Sequence, residues 1–151
     1  MTTLTLEECQ ALVDAEYEWE VSPFYNLKGK VREDSLSHRT FKIADVSVMS
    51  EHNPQILKEI ITKYETGDHC WRHKDSSWPK VRLGWRAFEV WITPLNTGYE
   101  GGELYFNDAL VEQEVGIPIK RDYQEPHEIT KVTKGTRYSL VSWVFCPITK
   151  Q

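Results

Sequence analysis

Apolar residues recur at helical spacing only near the start of the chain. Leu6, Cys9, Leu12 and Val13 fall on one face of a 3.6-residue turn, and Thr5 followed three residues later by Glu8 makes a reciprocal N-terminal cap. The pattern predicts an amphipathic helix over residues 5 to about 17 whose stripe lies against a sheet. Between 21 and 38 the chain is polar, mixed in charge and broken by Pro23 and Gly29, which predicts a long connection with little regular structure. Phe41, Ile43, Val46 and Val48 then open a β-type alternation that dominates the remainder, interrupted by one helical turn where Asn53 would cap Pro54. Strands are expected at about 59–65, 69–75, 86–93, 103–106, 114–121, 127–132 and 136–146. The turns between them carry Thr66-Gly67-Asp68, Tyr99-Glu100-Gly101-Gly102 and Lys134-Gly135. Short strands at this density, with no helices between them, predict a mainly β (α+β) fold of sandwich or jelly-roll type.

Length and composition narrow this further. At 151 residues and 40% apolar content the chain supports one core and is read as a single domain, with 1–58 as N-terminal support and 59–147 as the β core. Six Trp, seven Tyr and five Phe exclude a disordered chain, because that much aromatic surface has to be buried. A net charge of -5 provides no overall attraction to nucleic acid or anionic lipid, so nucleic acid is an unlikely partner. Residues 1–18 carry acids where a secretory leader needs a basic start and an apolar run, and no stretch has transmembrane length. No membrane association and a cytoplasmic location are expected, with a monomer or weak dimer as the state of so small a chain. Cys9, Cys70 and Cys146, odd in number and widely spaced, fit neither a disulfide framework nor a cysteine zinc site and read as free thiols.

Candidate chemistry begins at His73-Lys74-Asp75. On a strand, residues two apart face the same way, so an imidazole and a carboxylate would converge on one point. The tripeptide alone is weak, since chance supplies roughly 0.2 of them in a chain with this His and Asp content. His127, at the start of a later strand, makes two imidazoles and one carboxylate possible. That set leaves three positions open on an octahedral ion and is the facial triad of Fe(II) oxygenases, whereas catalytic zinc prefers a tetrahedron. His69 and His73 have the spacing of a helical zinc pair, but Gly67 and the strand pattern argue against a helix there.

Thr133-Lys134-Gly135 reads as a three-residue hairpin loop with Gly135 left-handed. In that register Lys131 opposes Arg137 and His127 opposes Val141, which would place His127, Arg137 and Ser139 on one face. Arg137 would then sit roughly 13 Å along the ladder from His127 at ~3.3 Å per residue, a gap that a five-carbon diacid and a long side chain can bridge. The planar guanidinium suits a carboxylate, and Ser139 can add a further hydrogen bond. Trp85, Trp91 and Trp143 are taken as packing residues, and 76–84, with Trp78, Lys80 and Arg82, as a loop able to cover the site.

Three stretches carry a family resemblance: Tyr64-Glu-Thr-Gly-Asp-His-Cys-Trp-Arg-His73-Lys-Asp75, then Leu95-Asn-Thr-Gly-Tyr-Glu-Gly-Gly-Glu-Leu-Tyr-Phe106, then His127-Glu-Ile-Thr-Lys-Val-Thr-Lys-Gly-Thr-Arg137-Tyr-Ser-Leu. In order and spacing, from about Ile60 to Pro147, the chain resembles the prolyl 4-hydroxylase-like branch of the Fe(II)/2-oxoglutarate dioxygenases. The resemblance implies a double-stranded β-helix core, with His73, Asp75 and His127 on iron. It also implies Arg137 on the far carboxylate of 2-oxoglutarate and a cofactor contact for Tyr64. The implied reaction couples oxidative decarboxylation of 2-oxoglutarate to succinate and CO2 with hydroxylation of an unactivated C–H bond, with ascorbate as an accessory reductant. A prolyl residue of a peptide or protein is the implied substrate, and a free amino acid, another small molecule or a nucleobase is the alternative. A jelly-roll binding module without turnover is the competing reading from another class. Pro94 stands where many relatives carry a tyrosine that helps hold 2-oxoglutarate, and Thr93, Tyr64 and Ser139 are the candidates to take its place. In 117–123, Lys120, Arg121 and Asp122 replace more apolar residues of relatives.

Overall fold

The computed structural model describes residues 1–22, 40–74, 85–122 and 125–147. The stretch expected to be a long connection falls mostly outside these residues, as do Asp75 and the loop at 76–84.

The first element is α1 (Leu6–Asp14), started by the expected cap: Thr5 Oγ1 accepts from the Glu8 amide at 3.1 Å and Glu8 Oε1 from the Thr5 amide at 3.0 Å. It stops about three residues short of the expected end. Ala15 turns to an extended conformation, and the Tyr17 hydroxyl donates to the Leu12 carbonyl at 2.6 Å, so an oxygen of the last turn is satisfied from outside the helix. Cys9 is buried, and Leu12 and Val13 pack partly beneath the helix. Leu6, expected in the same stripe, is 71% exposed, because the helix meets the sheet only from its second turn. Burial raises the pKa of the Cys9 thiol, with the nearby Glu8 charge adding to it, so this cysteine is a poor nucleophile. Cys70 is also buried and, among the described residues, forms no disulfide.

The described strands are β1 (Glu20–Val21), β2 (Lys42–Asp45), β3 (Ile56–Tyr64), β4 (Cys70–His73), β5 (Trp85–Pro94), β6 (Glu100–Gly101), β7 (Leu104–Phe106), β8 (Ala109–Leu110), β9 (Ile119–Asp122), β10 (His127–Ile129), β11 (Val132–Lys134) and β12 (Arg137–Pro147). They form a six-stranded sheet ordered β1-β2-β3-β12-β5-β9, a four-stranded sheet ordered β4-β10-β7-β8 and the pair β11-β6. All pairings are antiparallel. This is the mainly β fold expected, with one helix among the described residues. Asn53, expected to cap a helical turn, instead closes a hydrogen-bonded turn into β3, accepting from the Gln55 and Ile56 amides.

Alternation along the central strands divides the six-stranded sheet into two faces. Register places Arg137, Ser139 and Val141 of β12 beside Tyr64, Thr62 and Ile60 of β3; Ser139 and Val141 also lie beside Pro94 and Ile92 of β5. This inner face meets the four-stranded sheet, where Val90, Ile92 and Val141 pack with Leu104 and Ile129. The outer face carries Ile61, Leu140 and Val144, which pack with Leu4, Cys9 and Ala44 beneath α1. On that outer side Glu59 is only 4% exposed. Its carboxylate accepts from the amides of Val48 (2.6 Å) and Met49 (3.1 Å) and from the hydroxyls of Ser50 (3.2 Å) and Ser142 (3.0 Å), which pins the segment before β3 to the sheet.

Two expectations fail. The hairpin between 127–132 and 136–146 does not form. Its first strand breaks after Ile129, β10 lies between β4 and β7, and β11 pairs with β6, while β12 enters the other sheet between β3 and β5. Lys131 therefore does not oppose Arg137, and His127 opposes His73 and Phe106 instead of Val141. Gly135 does have positive φ, 78°, but the turn is a corner between sheets.

The second failure is the strand at 114–121, of which only β9 forms. Gly116, at φ 84°, makes a turn whose amide donates to the Pro94 carbonyl and whose carbonyl accepts from the Leu4 amide, both at 2.8 Å. A Cβ at Gly116 would come within 2.3 Å of the Leu4 oxygen. Gly116→Ala is accordingly expected to cost about 2–4 kcal/mol, from the left-handed conformation and two displaced hydrogen bonds. Thermal denaturation should show a Tm lower by roughly 5–10 °C; a Tm within a degree of the parent would contradict this account of the turn.

Candidate active site

His73 ends β4 and His127 begins β10, and the antiparallel register puts them directly opposite each other. Their ring centroids are 4.2 Å apart with planes inclined by 59°. Two imidazoles bound cis to one octahedral ion at about 2.1 Å would hold their centroids ~4.5 Å apart, so the observed pair fits a shared metal. Each Nδ1 faces a backbone carbonyl, Trp71 O for His73 at 2.8 Å and Glu125 O for His127 at 2.9 Å. A carbonyl only accepts, so each Nδ1 is the donor, and in the neutral ring Nε2 is the nitrogen left to ligate a metal. His127 is 8% exposed; the third expected ligand, Asp75, lies outside the described residues. Among the described residues His, Cys, Asp and Glu form no group of three able to hold a metal.

His69 precedes β4 and is not helical, as expected; its ring packs near Trp71 at 5.4 Å. Trp91 and Trp143 are partly buried against the core clusters, as packing residues should be. Trp85 begins β5.

Arg137 is the first residue of β12 and is 1% exposed. Its Nη1 donates to Ser139 Oγ at 2.8 Å and its Nη2 to Gln113 Oε1 at 2.9 Å, while Nε has no hydrogen-bond partner. The guanidinium carbon lies 5.6 Å from the Tyr64 ring, which stacks on Phe41 at 4.4 Å. Among the described residues no carboxylate pairs with Arg137. Gly102 makes room for its stem: a Cβ there would stand 3.1 Å from Arg137 Cδ and 2.9 Å from a Val132 methyl, at a φ of 60°. The same contact places Arg137 at the Val132 end of the interior, whereas His127 and His73 lie at the far end of β10. Between the two ends the interior is apolar, built by Ile92, Leu104, Ile129 and Val141.

The histidines and Arg137 thus come from different sheets facing one another, a placement that the expected hairpin did not describe. Ser139 and Tyr64 lie beside Arg137. Thr93 does not: it pairs with Leu140 and so shares the outer face, which removes it as a substitute for the tyrosine of relatives. Pro94, paired with Ser139, is the inward residue. Gln113 and Glu59 were missed, because an isolated amide or acid among many polar residues carries no periodic or motif signal.

A search against family models finds no match. A PKHD-type hydroxylase of Idiomarina loihiensis is 29% identical over 94 residues, 60% of this chain and 43% of the relative. The chain thus aligns with less than half the length of that protein. Among solved structures, a prolyl-4-hydroxylase of Pseudomonas putida is 19% identical with a TM-score of 0.66, covering 96% of this chain and 90% of that one. An oxidoreductase of the 2OG-Fe(II) oxygenase family from Burkholderia pseudomallei is 13% identical with a TM-score of 0.62, covering 91% and 78%. The chain resembles the PKHD-type and prolyl 4-hydroxylase-like oxygenases. At these identities the structural likeness speaks for the fold, a double-stranded β-helix, and the side chains inside the barrel have to speak for chemistry.

Proposed function

We propose that the protein is an Fe(II)- and 2-oxoglutarate-dependent hydroxylase acting in the cytoplasm on a prolyl residue of a peptide or protein. The observation that carries this reading is the buried guanidinium of Arg137, which among the described residues has only neutral partners and faces the same interior as a pair of histidines whose Nδ1 atoms are held by backbone carbonyls. A buried cation without a counter-ion is costly, and an anionic ligand would offset that cost. A binding module that needs only a structural metal has no use for it.

His73 and His127, with Asp75, would hold the iron. Bound there, iron would activate dioxygen and couple conversion of 2-oxoglutarate to succinate and CO2 with hydroxylation of a C–H bond. Arg137 and Ser139 bind the far carboxylate and so orient the co-substrate along the barrel. Ile92, Leu104, Ile129 and Val141 keep the space between apolar and exclude water. The Trp71 and Glu125 carbonyls accept from Nδ1, which orients both rings with Nε2 as the nitrogen left for the metal. No helix among the described residues is long and apolar enough to cross a membrane.

The test is anaerobic reconstitution with Fe(II) and then 2-oxoglutarate, followed by admission of oxygen with ascorbate present. A weak visible charge-transfer band, succinate release, and faster release with proline-containing peptides are expected. Folded, iron-loaded protein that shows neither band nor succinate would sink the oxygenase reading. Succinate formed without any response to peptides would remove the prolyl substrate alone.

A further inference from the structure

The segment joining β8 to β9 is tied to both sheets. The Val111 amide donates to the Leu104 carbonyl of β7 at 2.9 Å, and the Gly116 amide to the Pro94 carbonyl of β5 at 2.8 Å. Between these two anchors Gln113 reaches Arg137. Because a guanidinium can only donate, the amide atom facing Arg137 Nη2 at 2.9 Å has to be the oxygen, and the nitrogen is turned away from it. That Nε2 is buried and has no hydrogen-bond partner, and neither has Arg137 Nε. Buried polar atoms are nearly always satisfied. Two unsatisfied donors carried by two side chains in mutual contact are therefore arranged for an acceptor that arrives later.

We infer that Gln113 is a ligand-binding residue of the 2-oxoglutarate site. Its Oε1 holds Arg137 in place before the co-substrate binds, and its Nε2 donates to the far carboxylate once bound. This rests on the oxygenase reading above and extends it. Pro94, the inward neighbour of Ser139, has no side-chain donor, whereas Gln113 of the β8–β9 segment has one. The carboxylate arrives between Arg137, Ser139 and Gln113 and takes over the guanidinium hydrogen bond that Oε1 accepts in its absence. A monocarboxylic 2-oxo acid that does not reach this end would gain nothing from Gln113.

The inference is tested by calorimetric titration of 2-oxoglutarate, and of pyruvate as the short control, into Mn(II)-loaded protein, together with thermal denaturation of the metal-free protein. Gln113→Ala should weaken 2-oxoglutarate binding about ten-fold, the loss of one hydrogen bond to a charged group, and leave pyruvate binding unchanged. Gln113→Glu should weaken it more than the alanine variant, because its own carboxylate would occupy Arg137, and for the same reason should melt at a higher temperature than the parent. Equal 2-oxoglutarate affinity in parent and both variants would overturn the role of Gln113 while leaving the oxygenase reading intact. Failure of the parent to bind 2-oxoglutarate would overturn both. A Gln113→Glu variant that melts lower and binds as tightly as the parent would show that Gln113 does not contact the guanidinium in solution, and would also overturn the role.

Discussion

Replacing Arg137 by methionine is expected to abolish 2-oxoglutarate binding while leaving the melting temperature equal to the parent's or above it. These two effects part company because, among the described residues, the polar partners of the buried guanidinium are only a hydroxyl and an amide oxygen, with an aromatic face beside it. In the protein without ligand it makes two neutral-acceptor hydrogen bonds and carries the cost of a desolvated charge. Exchange of buried charges for apolar groups of similar volume is often neutral or stabilising. With ligand present the balance reverses. Two charge-assisted hydrogen bonds to a carboxylate, at about 1.5–3 kcal/mol each, correspond to a loss of roughly two to four orders of magnitude in affinity. Methionine fills much of the stem space that Gly102 leaves open, so little cavity cost is added. Calorimetry of 2-oxoglutarate binding and thermal denaturation of the same two samples read both effects. A variant that melts far below the parent yet still binds the diacid would mean that Arg137 is a structural residue. Arg137→Lys should fall between the two, since it retains charge but loses the fork.

The second large effect is expected at His127. His127→Ala removes one of two imidazoles whose tautomers are already set, and metal affinity should fall by more than the ten- to hundred-fold that loss of a supporting hydrogen bond costs elsewhere. Fold is less affected: β10 is paired on both sides by backbone, and trimming the ring should cost no more than about 1–3 kcal/mol. Mn(II) binding followed by electron paramagnetic resonance, with circular dichroism as the check on folding, separates the two. His69→Ala provides the contrast, since its ring packs by Trp71 outside the proposed ligand set, and it should bind Mn(II) as the parent does. Equal Mn(II) affinity in the His127 and His69 variants would remove His127 from the metal site.

What the sequence disclosed and what it hid follow one physical division. The cap at Thr5 and Glu8 was legible because it is made within four residues, and the alternation of Arg137 and Ser139 because a strand imposes its period on any pair two apart. The partners of β10, β11 and β12 were not. A left-handed Gly135 serves a hairpin and a corner equally well, and which of them forms depends on distant pairings: β12 finds β3 and β5, more than seventy and about fifty residues before it in register. The local motif therefore named residues that share one interior but misplaced the strands that carry them. The two-residue turn at Asn107 and Asp108, with φ of 48° and 67°, was a readable type I′ hairpin signal that went unused. β1, β6 and β8, two residues each, are too short for any period to show.

The contrast between Glu59 and Arg137 follows from their surroundings. Both are ionisable and buried against the same sheet, but the carboxyl group on the outer face is met by amides and hydroxyls, and the guanidinium on the inner face keeps an Nε without an acceptor. One is complete as folded and the other is not.

The position of β12 has a consequence for how the molecule comes into being on the ribosome. This strand is the last described one to be synthesised, yet it lies at the centre of the larger sheet, with β3 on one side and β5 on the other. Until it leaves the exit tunnel, β3 and β5 each expose an unpaired edge, and the guanidinium that anchors one end of the barrel has not been made. Between the synthesis of Pro94 and that of β12 the nascent chain must therefore hold two sticky edges apart. Closure then joins segments far apart in sequence, the kind of contact that forms slowly. Aggregation during expression, more than instability of the finished fold, is where a weakened variant of this protein would first be lost.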